Sequence, residues 1–201
     1  MGKDRAGKLI LVRHGESEGN RDRRFTTSPA AALTDLGRRQ AKDAAARIRV
    51  LFTPELVIAS PFARARETGE IIARELSAPF EVREGLHEQS FGSLAGQPYD
   101  VAAQATDLDP KRPWLWCPPG GESREQVRRR VAPILDELAA RHLDTDVVVV
   151  SHGAVMSALW AHVTDSWEQA LIVGNAGIVV VEHVGRRYSP PRMIVEEEQS
   201  R

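Results

Sequence analysis

The sequence predicts an α/β protein, a three-layer α/β/α sandwich around a mainly parallel sheet. Three observations carry this. The apolar runs Leu9-Ile10-Leu11-Val12, Leu56-Val57-Ile58-Ala59 and Val147-Val148-Val149-Val150 do not alternate with polar residues, so they read as strands buried on both faces. Helix-period stretches separate them, as crossovers between parallel strands require. Each run also stops at residues suited to chemistry: Arg13-His14-Gly15, Ser60 through Arg64, and Ser151-His152-Gly153.

The elements follow in order. A loose polar start, 1–7, leads into a strand at 8–13. The polar stretch 15–34, with Pro29, reads as a long loop with room for a short helix. Thr34 or Asp35 caps a helix running to about Leu51, with Leu36, Ala41, Ala44, Ala45, Ile48, Leu51 and Phe52 on one face. Pro54 ends it, and a strand follows at 56–59. A helix over 62–76 turns Ala63, Ile71, Ile72 and Leu76 inward, Pro79 breaks it, and Phe80-Glu81-Val82 is a short strand. Residues 85–121 are irregular and rich in Gly and Pro, which marks a lid or binding loop. Ser123 with Gln126 forms a capping box. The helix after it presents Val127, Val131, Ile134, Leu135, Leu138 and His142, with Pro133 as a kink point. A strand at 146–150 and a helix at 153–163 follow, and Ser166 with Gln169 predicts a further helix start. Gly177 to Val184 is a strand, 192–195 an edge strand, and the tail from Glu196 is charged. The whole is read as one domain over 1–201, with its core at about 8–184.

Bulk properties exclude several classes. A formal net charge of -1 argues against general binding to nucleic acid or a membrane surface, so an anionic ligand must be met by local positive charge. Cys117 is the single cysteine, which rules out an intrachain disulfide. The first eight residues lack the apolar stretch of a secretory signal, and Ala6 stands where a myristoylation start has Ser or Thr. No apolar run approaches the ~20 residues of a membrane helix. The expectation is a cytoplasmic protein.

Ligands of open α/β sheets sit beyond the carboxyl ends of the strands. If the three buried strands are adjacent and parallel, they deliver Arg13, His14, Arg64 and His152 to one rim. A phosphoryl group spreads negative charge over several oxygens, and arginine meets such oxyanions with a planar fork of donors. Arg13 and Arg64 supply two forks and His152 a third donor. Neighbouring cations favour the neutral imidazole of His14, the form that attacks phosphorus. Glu88, in the irregular region, is placed to protonate a leaving alkoxide and later to activate water.

The chain resembles the histidine phosphatase superfamily, with its phosphoglycerate mutase-like fold. The resemblance rests on Leu11-Val12-Arg13-His14-Gly15-Glu16-Ser17 with Asn20, and on Leu33 through Gly37 with Gln40-Ala41. It continues through Ser60-Pro61 with Arg64-Ala65 and Thr68, Glu88 with Gly92 and Gly96, Gly120 through Ser123, and Ser151-His152-Gly153. It covers roughly residues 8–184. It implies His14 as the phosphorylated nucleophile, Arg13, Arg64 and His152 as the phosphate pocket, and Glu88 as proton donor. Asn20 and Gly153 join the substrate-binding set. A backbone contact to substrate is implied at Thr26, within Phe25-Thr26-Thr27. Asn175 is implied to support the pocket from behind. No metal or organic cofactor is implied, and the partner is a small phosphomonoester.

Three functions remain in view: a phosphomonoesterase, a phosphoglycerate mutase, and a non-catalytic phospho-ligand or protein-binding module. Family mutases resembling this chain usually carry a longer, more basic insertion after the acid. Residues Gln89 to Gly121 offer only Lys111 and Arg112 as cations, which favours the phosphatase. A rival motif, Gly15-Glu16-Ser17-Glu18-Gly19, fits the nucleophile elbow of α/β-hydrolases, with Asp146 and His152 completing a triad. That reading needs a strand before the first one and leaves Arg13, His14 and Arg64 without a role. His87, His142, His162 and His183 read as ordinary surface or core histidines, and His87-Glu88 lacks the second histidine of a zinc motif. Trp114 and Trp116 read as packing. Arg128, Arg129 and Arg130 read as a solvated helix face, with Arg130 able to reach Glu122.

Overall fold

The computed structural model describes residues 6–26, 28–104, 107–171 and 173–194. The expectations for the start through residue 5, for Thr27, for residue 195 and for the tail from Glu196 lie outside them. Among the described residues, seven strands form one sheet: β1 (Gly7–Arg13), β2 (Pro54–Ala59), β3 (Phe80–Val82), β4 (Asp146–Ser151), β5 (Ile178–Val184), β6 (Arg187–Tyr188) and β7 (Arg192–Ile194). Their order is β3-β2-β4-β1-β5-β6, with β7 also on β5. β3, β2, β4 and β1 are mutually parallel, and β5 to β7 add an antiparallel edge. β4, the most uniformly apolar run, lies between β1 and β2 and is buried throughout.

The pleat sorts side chains into two cores. Leu9, Leu11, Val147, Val149, Val179 and Val181 face one layer. It is made of α4 (Arg124–Arg141) and α5 (Gly153–Thr164). Ile10, Val12, Val148, Val150, Ile178 and Val180 face the other, made of α2 (Asp35–Leu51) and α3 (Ala63–Leu76). The period-2 alternation that a half-buried strand shows as apolar and polar is here apolar on both sides, because each face has its own helix layer. The three-layer sandwich is therefore as the sequence predicts.

Local signals hold at most element ends. The Thr34 side chain caps α2 by accepting the Gly37 N–H at 3.1 Å, and Ser123 with Gln126 closes a reciprocal capping box on α4. The predicted short helix in the first loop is α1 (Glu18–Arg21). α4 runs through Pro133 to Arg141. Two expectations fail. Leu36 and Leu51 are 43% and 53% exposed. They lie in the end turns of α2, while Ala41, Ala44, Ala45 and Ile48 bring its middle close against the core. Ser166 and Gln169 start no helix. Ala170 N–H closes only a turn on Trp167 O at 3.1 Å. Tertiary contacts override the local signal: Trp167 stacks on Trp114 at 6.1 Å and donates Nε1–H to Glu125 at 2.9 Å.

The irregular region is indeed short on regular structure. It contains 3-10 turns at Glu84–Leu86, Gly92–Leu94, Tyr99–Gln104 and Pro113–Leu115. Ile10 is fully buried on β1, so Ile10→Ala should lower unfolding stability by about 2–5 kcal/mol, read as a lower midpoint in urea with an unchanged slope.

Candidate active site

The carboxyl ends of β1, β2 and β4 open on one edge, and the residues after them meet there. The turn after β1 carries His14, and its shape is set by close backbone packing. A Cβ on Gly15 would collide with Gly37 O, and one on Gly37 would collide with Glu16 O. Only a glycine pair allows that approach. The Gly15 N–H donates to Thr68 Oγ1 at 3.1 Å, and the Glu16 N–H donates to Gln40 Oε1 at 2.8 Å. The scattered blocks that include Gly37, Gln40 and Thr68 thus have one mechanical task, which is to hold this turn.

The hydrogen bonds of His14 define its proton. Nδ1 lies 2.6 Å from Gly15 O, which can only accept, so Nδ1 carries the hydrogen. Arg64 Nε–H, which can only donate, points at Nε2 from 3.2 Å, so Nε2 holds the lone pair. Both partners demand the same neutral tautomer. The ring is 2% exposed. Burial first, and then the charges of Arg64 and Arg13, hold its pKa well below the ordinary histidine value.

The arginines are placed by backbone oxygens. Arg13 donates Nη1–H to Val173 O at 2.7 Å. Arg64, at the start of α3, reaches Ser28 O at 3.4 Å and Thr26 O at 3.5 Å. His152 stands edge-on to His14 with ring centroids 5.1 Å apart. Its Nε2 meets Ser60 Oγ at 2.7 Å, while its Nδ1 and Arg13 Nε are buried with no hydrogen-bond partner. Burial, chiefly, and then Arg64 lower the His152 pKa well below the usual value.

Glu88 comes from the irregular region as predicted. Ser151 Oγ–H holds Leu86 O at 2.8 Å, and Arg130 Nη1–H holds Gly85 O at 2.7 Å and His87 O at 3.0 Å. Arg130 also pairs with Glu122 at 3.0 Å, and Glu122 accepts the Ser90 N–H at 3.0 Å. Arg130 is therefore a brace for the Glu88 segment rather than a solvated charge. Burial raises the Glu88 pKa, against the lowering pull of the Gln89 N–H, Arg64, Arg13 and the Ala154 N–H at the start of α5.

These groups surround a cavity of about 360 Å³. Arg13, His14, Asn20, Thr26, Arg64, Glu88 and Gly153 all line it, and His152 sits behind its wall. Asn20 Oδ1 accepts from Ser17 and from Asn175 Nδ2 at 3.0 Å, and Asn175 also meets His14 O at 3.2 Å. Asn175 thus touches Asn20 and His14 without lining the cavity itself. Sequence reasoning missed Phe91, Tyr99 and Arg124 in the wall. The only signal for Arg124 was a cation at the first position of a helix, where acidic side chains are preferred. Lys111 and Arg112 do not line the cavity, and Arg112 pairs with Asp109 at 3.1 Å. Trp114 and Trp116 stay outside it, stacked on Trp167 and bonded to Asp107. The nucleophile-elbow reading has no triad: Asp146 begins β4 while His152 follows its far end, and Ser17 Oγ–H is spent on Asn20 at 3.0 Å. Among the described residues, no three His, Cys, Asp or Glu side chains gather as a metal site.

A buried and a half-buried guanidinium group, a neutral imidazole and a protonatable carboxyl at the rim of a mainly parallel sheet define an α/β protein built to handle a phosphoryl group. The chain belongs to the histidine phosphatase superfamily (branch 1), whose family model matches residues 9–193. It is 32% identical over 189 residues to the glucosyl-3-phosphoglycerate phosphatase of Mycolicibacterium vanbaalenii, covering 87% of this chain and 84% of the relative. It is 31% identical to the metal-independent phosphoserine phosphatase of Arabidopsis thaliana, over 87% of this chain and 75% of that one. A mycobacterial glucosyl-3-phosphoglycerate phosphatase solved with VO3 superimposes with a TM-score of 0.80 at 28% identity, covering 94% and 98% of the two chains.

Because both buried histidines have lowered pKa values, their imidazole NMR signals should keep neutral positions from about pH 8 to about pH 6. The unfolded chain takes up protons below about pH 6.5 that the folded chain refuses, so this pair removes stability as pH falls through that value. His14→Gln should therefore lose less stability than the parent on acidification from about pH 7.5 to about pH 5.5, measured by urea unfolding.

Proposed function

We propose that the chain is a phosphatase that hydrolyses small phosphomonoesters through a phosphoryl group carried on His14 Nε2. The observation that carries this reading is the fixed, neutral His14, with its lone pair in a cavity that two arginines make positive. Arg13 and Arg64 take the phosphoryl oxygens. The unpartnered Arg13 Nε is a further donor for them, Asn20, the Thr26 segment and the Gly153 backbone complete the seat, and His152 backs the His14 ring. His14 Nε2 attacks phosphorus, an N–P bond forms, and the ester P–O bond breaks. Glu88, protonated because burial raises its pKa, gives its proton to the departing alkoxide. Water then attacks the phosphohistidine, Glu88 takes a proton from it, and the N–P bond breaks to release inorganic phosphate and restore the neutral ring. The guanidinium groups supply the charge stabilisation, so no metal or organic cofactor is needed in this scheme.

The substrate class follows the relatives. Glucosyl-3-phosphoglycerate and phosphoserine are small phosphomonoesters. The phosphatase reading is preferred to the mutase because these relatives are named phosphatases and because Lys111 and Arg112, the loop cations, do not line the cavity. We further infer that the chain works as one domain, in the cytoplasm and without nucleic acid. A single cysteine and a net charge near zero support this, and no helix among the described residues is long and apolar enough to cross a membrane.

His14→Ala should reduce phosphate release by on the order of 10³-fold or more. The parent quenched during turnover of a radiolabelled phosphomonoester should carry protein-bound phosphate that the variant lacks. Interconversion of glycerate phosphates with little free phosphate would instead establish the mutase. Glu88→Gln should cost roughly 10²–10⁴-fold on an alkyl phosphate, and much less on p-nitrophenyl phosphate, whose leaving group needs no proton. In the parent, kcat/KM on the alkyl ester should fall as pH rises through the raised Glu88 pKa, and the variant should lose that limb.

A further inference from the structure

The cavity carries a third cation that the phosphoryl chemistry does not use. Early α4 holds Arg124, Arg128, Arg129 and Arg130. Arg128 pairs with Asp165 at 2.8 Å, Arg129 with Glu125 at 3.4 Å, and Arg130 with Glu122 at 3.0 Å. The Arg124 guanidinium has no ion pair or hydrogen bond among the described residues, and of the four it alone lines the cavity. It also occupies the first helical position of α4. There the helix dipole opposes a cation and favours Asp or Glu. A residue that works against its own helix and gains no contact in return has a reason outside the fold.

Position supplies that reason. Arg64 is 2% exposed and belongs to the cavity floor with His14, whereas Arg124 is exposed and stands at the lip. Between them the wall is aromatic, with Phe25 packed against Phe91 at 4.7 Å and against Tyr99 at 5.0 Å. A phosphate on Arg13 and Arg64 leaves the organic part of the ester facing that wall and the unpaired guanidinium. A planar fork with free donors is matched by a planar carboxylate. We propose that Arg124 binds a carboxylate on the substrate, so that the enzyme selects phosphomonoesters bearing a carboxylate a few bonds from the ester oxygen. This deepens the phosphatase reading and rests on it.

The test compares two esters that differ at one carbon, 3-phosphoglycerate with its carboxylate and glycerol 3-phosphate with a hydroxymethyl group. The parent should prefer 3-phosphoglycerate by about tenfold or more in kcat/KM, the scale of a charge-assisted bidentate contact. Arg124→Gln and Arg124→Glu should bring that ratio close to one, mainly through a higher KM for 3-phosphoglycerate, and Arg124→Lys should keep part of it. Arg124→Glu should melt no lower than the parent, because an acidic residue suits the helix start, so lost preference would not reflect unfolding. A parent with no preference, or variants that keep it, would overturn the carboxylate site and leave the phosphatase standing. A parent that releases phosphate from neither ester nor from p-nitrophenyl phosphate would overturn both.

Discussion

The contact on which the site depends is the hydrogen bond from His14 Nδ1 to the Gly15 carbonyl. It fixes which nitrogen carries the proton, and so which one presents its lone pair. The carbonyl is held in turn by a backbone-on-backbone approach between Gly15 and Gly37 and by the Gly15 N–H bond to Thr68. Thr68 Oγ1–H donates to Arg64 O at 2.7 Å, so His14 and the cation facing it share one support. Protonating Nε2 would set an N–H against the Arg64 N–H, which is why charge and burial together keep the ring neutral. Orientation and protonation state are therefore two outcomes of one backbone arrangement.

The sheet brings this arrangement to its partners. β4 lies between β1 and β2, and its end supplies both Ser151, which anchors the Glu88 segment, and His152, which backs His14. His14 and Glu88, carried on different segments, thus line one cavity. The first turn of α5 adds backbone N–H groups at Gly153 and Ala154, where helix termini attract negative charge. Burial of Glu88 overrides those donors and the two arginines in setting its proton affinity.

Much of this was readable from the chain. Runs such as Val147 to Val150 leave no polar face, so they had to be central strands, and the residues ending them had to meet. Glu88 was legible because few acids lie in the irregular region close to a family-like glycine pattern. Other features depended on contacts that no local pattern encodes. Ser166 and Gln169 look like a helix start, yet Trp167 is drawn into a stack with Trp114. Tyr99 and Phe91 reach the cavity along a 3-10 path set by distant bonds, such as Phe25 N–H to Gln97 O at 2.9 Å. Lys111 and Arg112 were the visible cations of the loop, but Asp109 turns Arg112 aside, and it is Arg124 of α4 that lines the cavity instead.

The anchoring of residues 85–90 differs from that of the stretch beyond them. The former is bolted to β4 and α4 through Ser151, Arg130 and Glu122, whereas residues 92–99, which bring Tyr99 to the cavity, are tied to the first loop by bonds such as Gly96 N–H to Phe25 O at 2.8 Å and Tyr99 N–H to Arg23 O at 3.1 Å. Arg124 and the Arg130 brace of the Glu88 segment share one helix, while Tyr99 reaches the same cavity from a loop. An exchange at Tyr99 would reshape the cavity wall without touching the Ser151 and Arg130 bonds that seat the Glu88 segment, so the hollow can change its contour while its frame stays put.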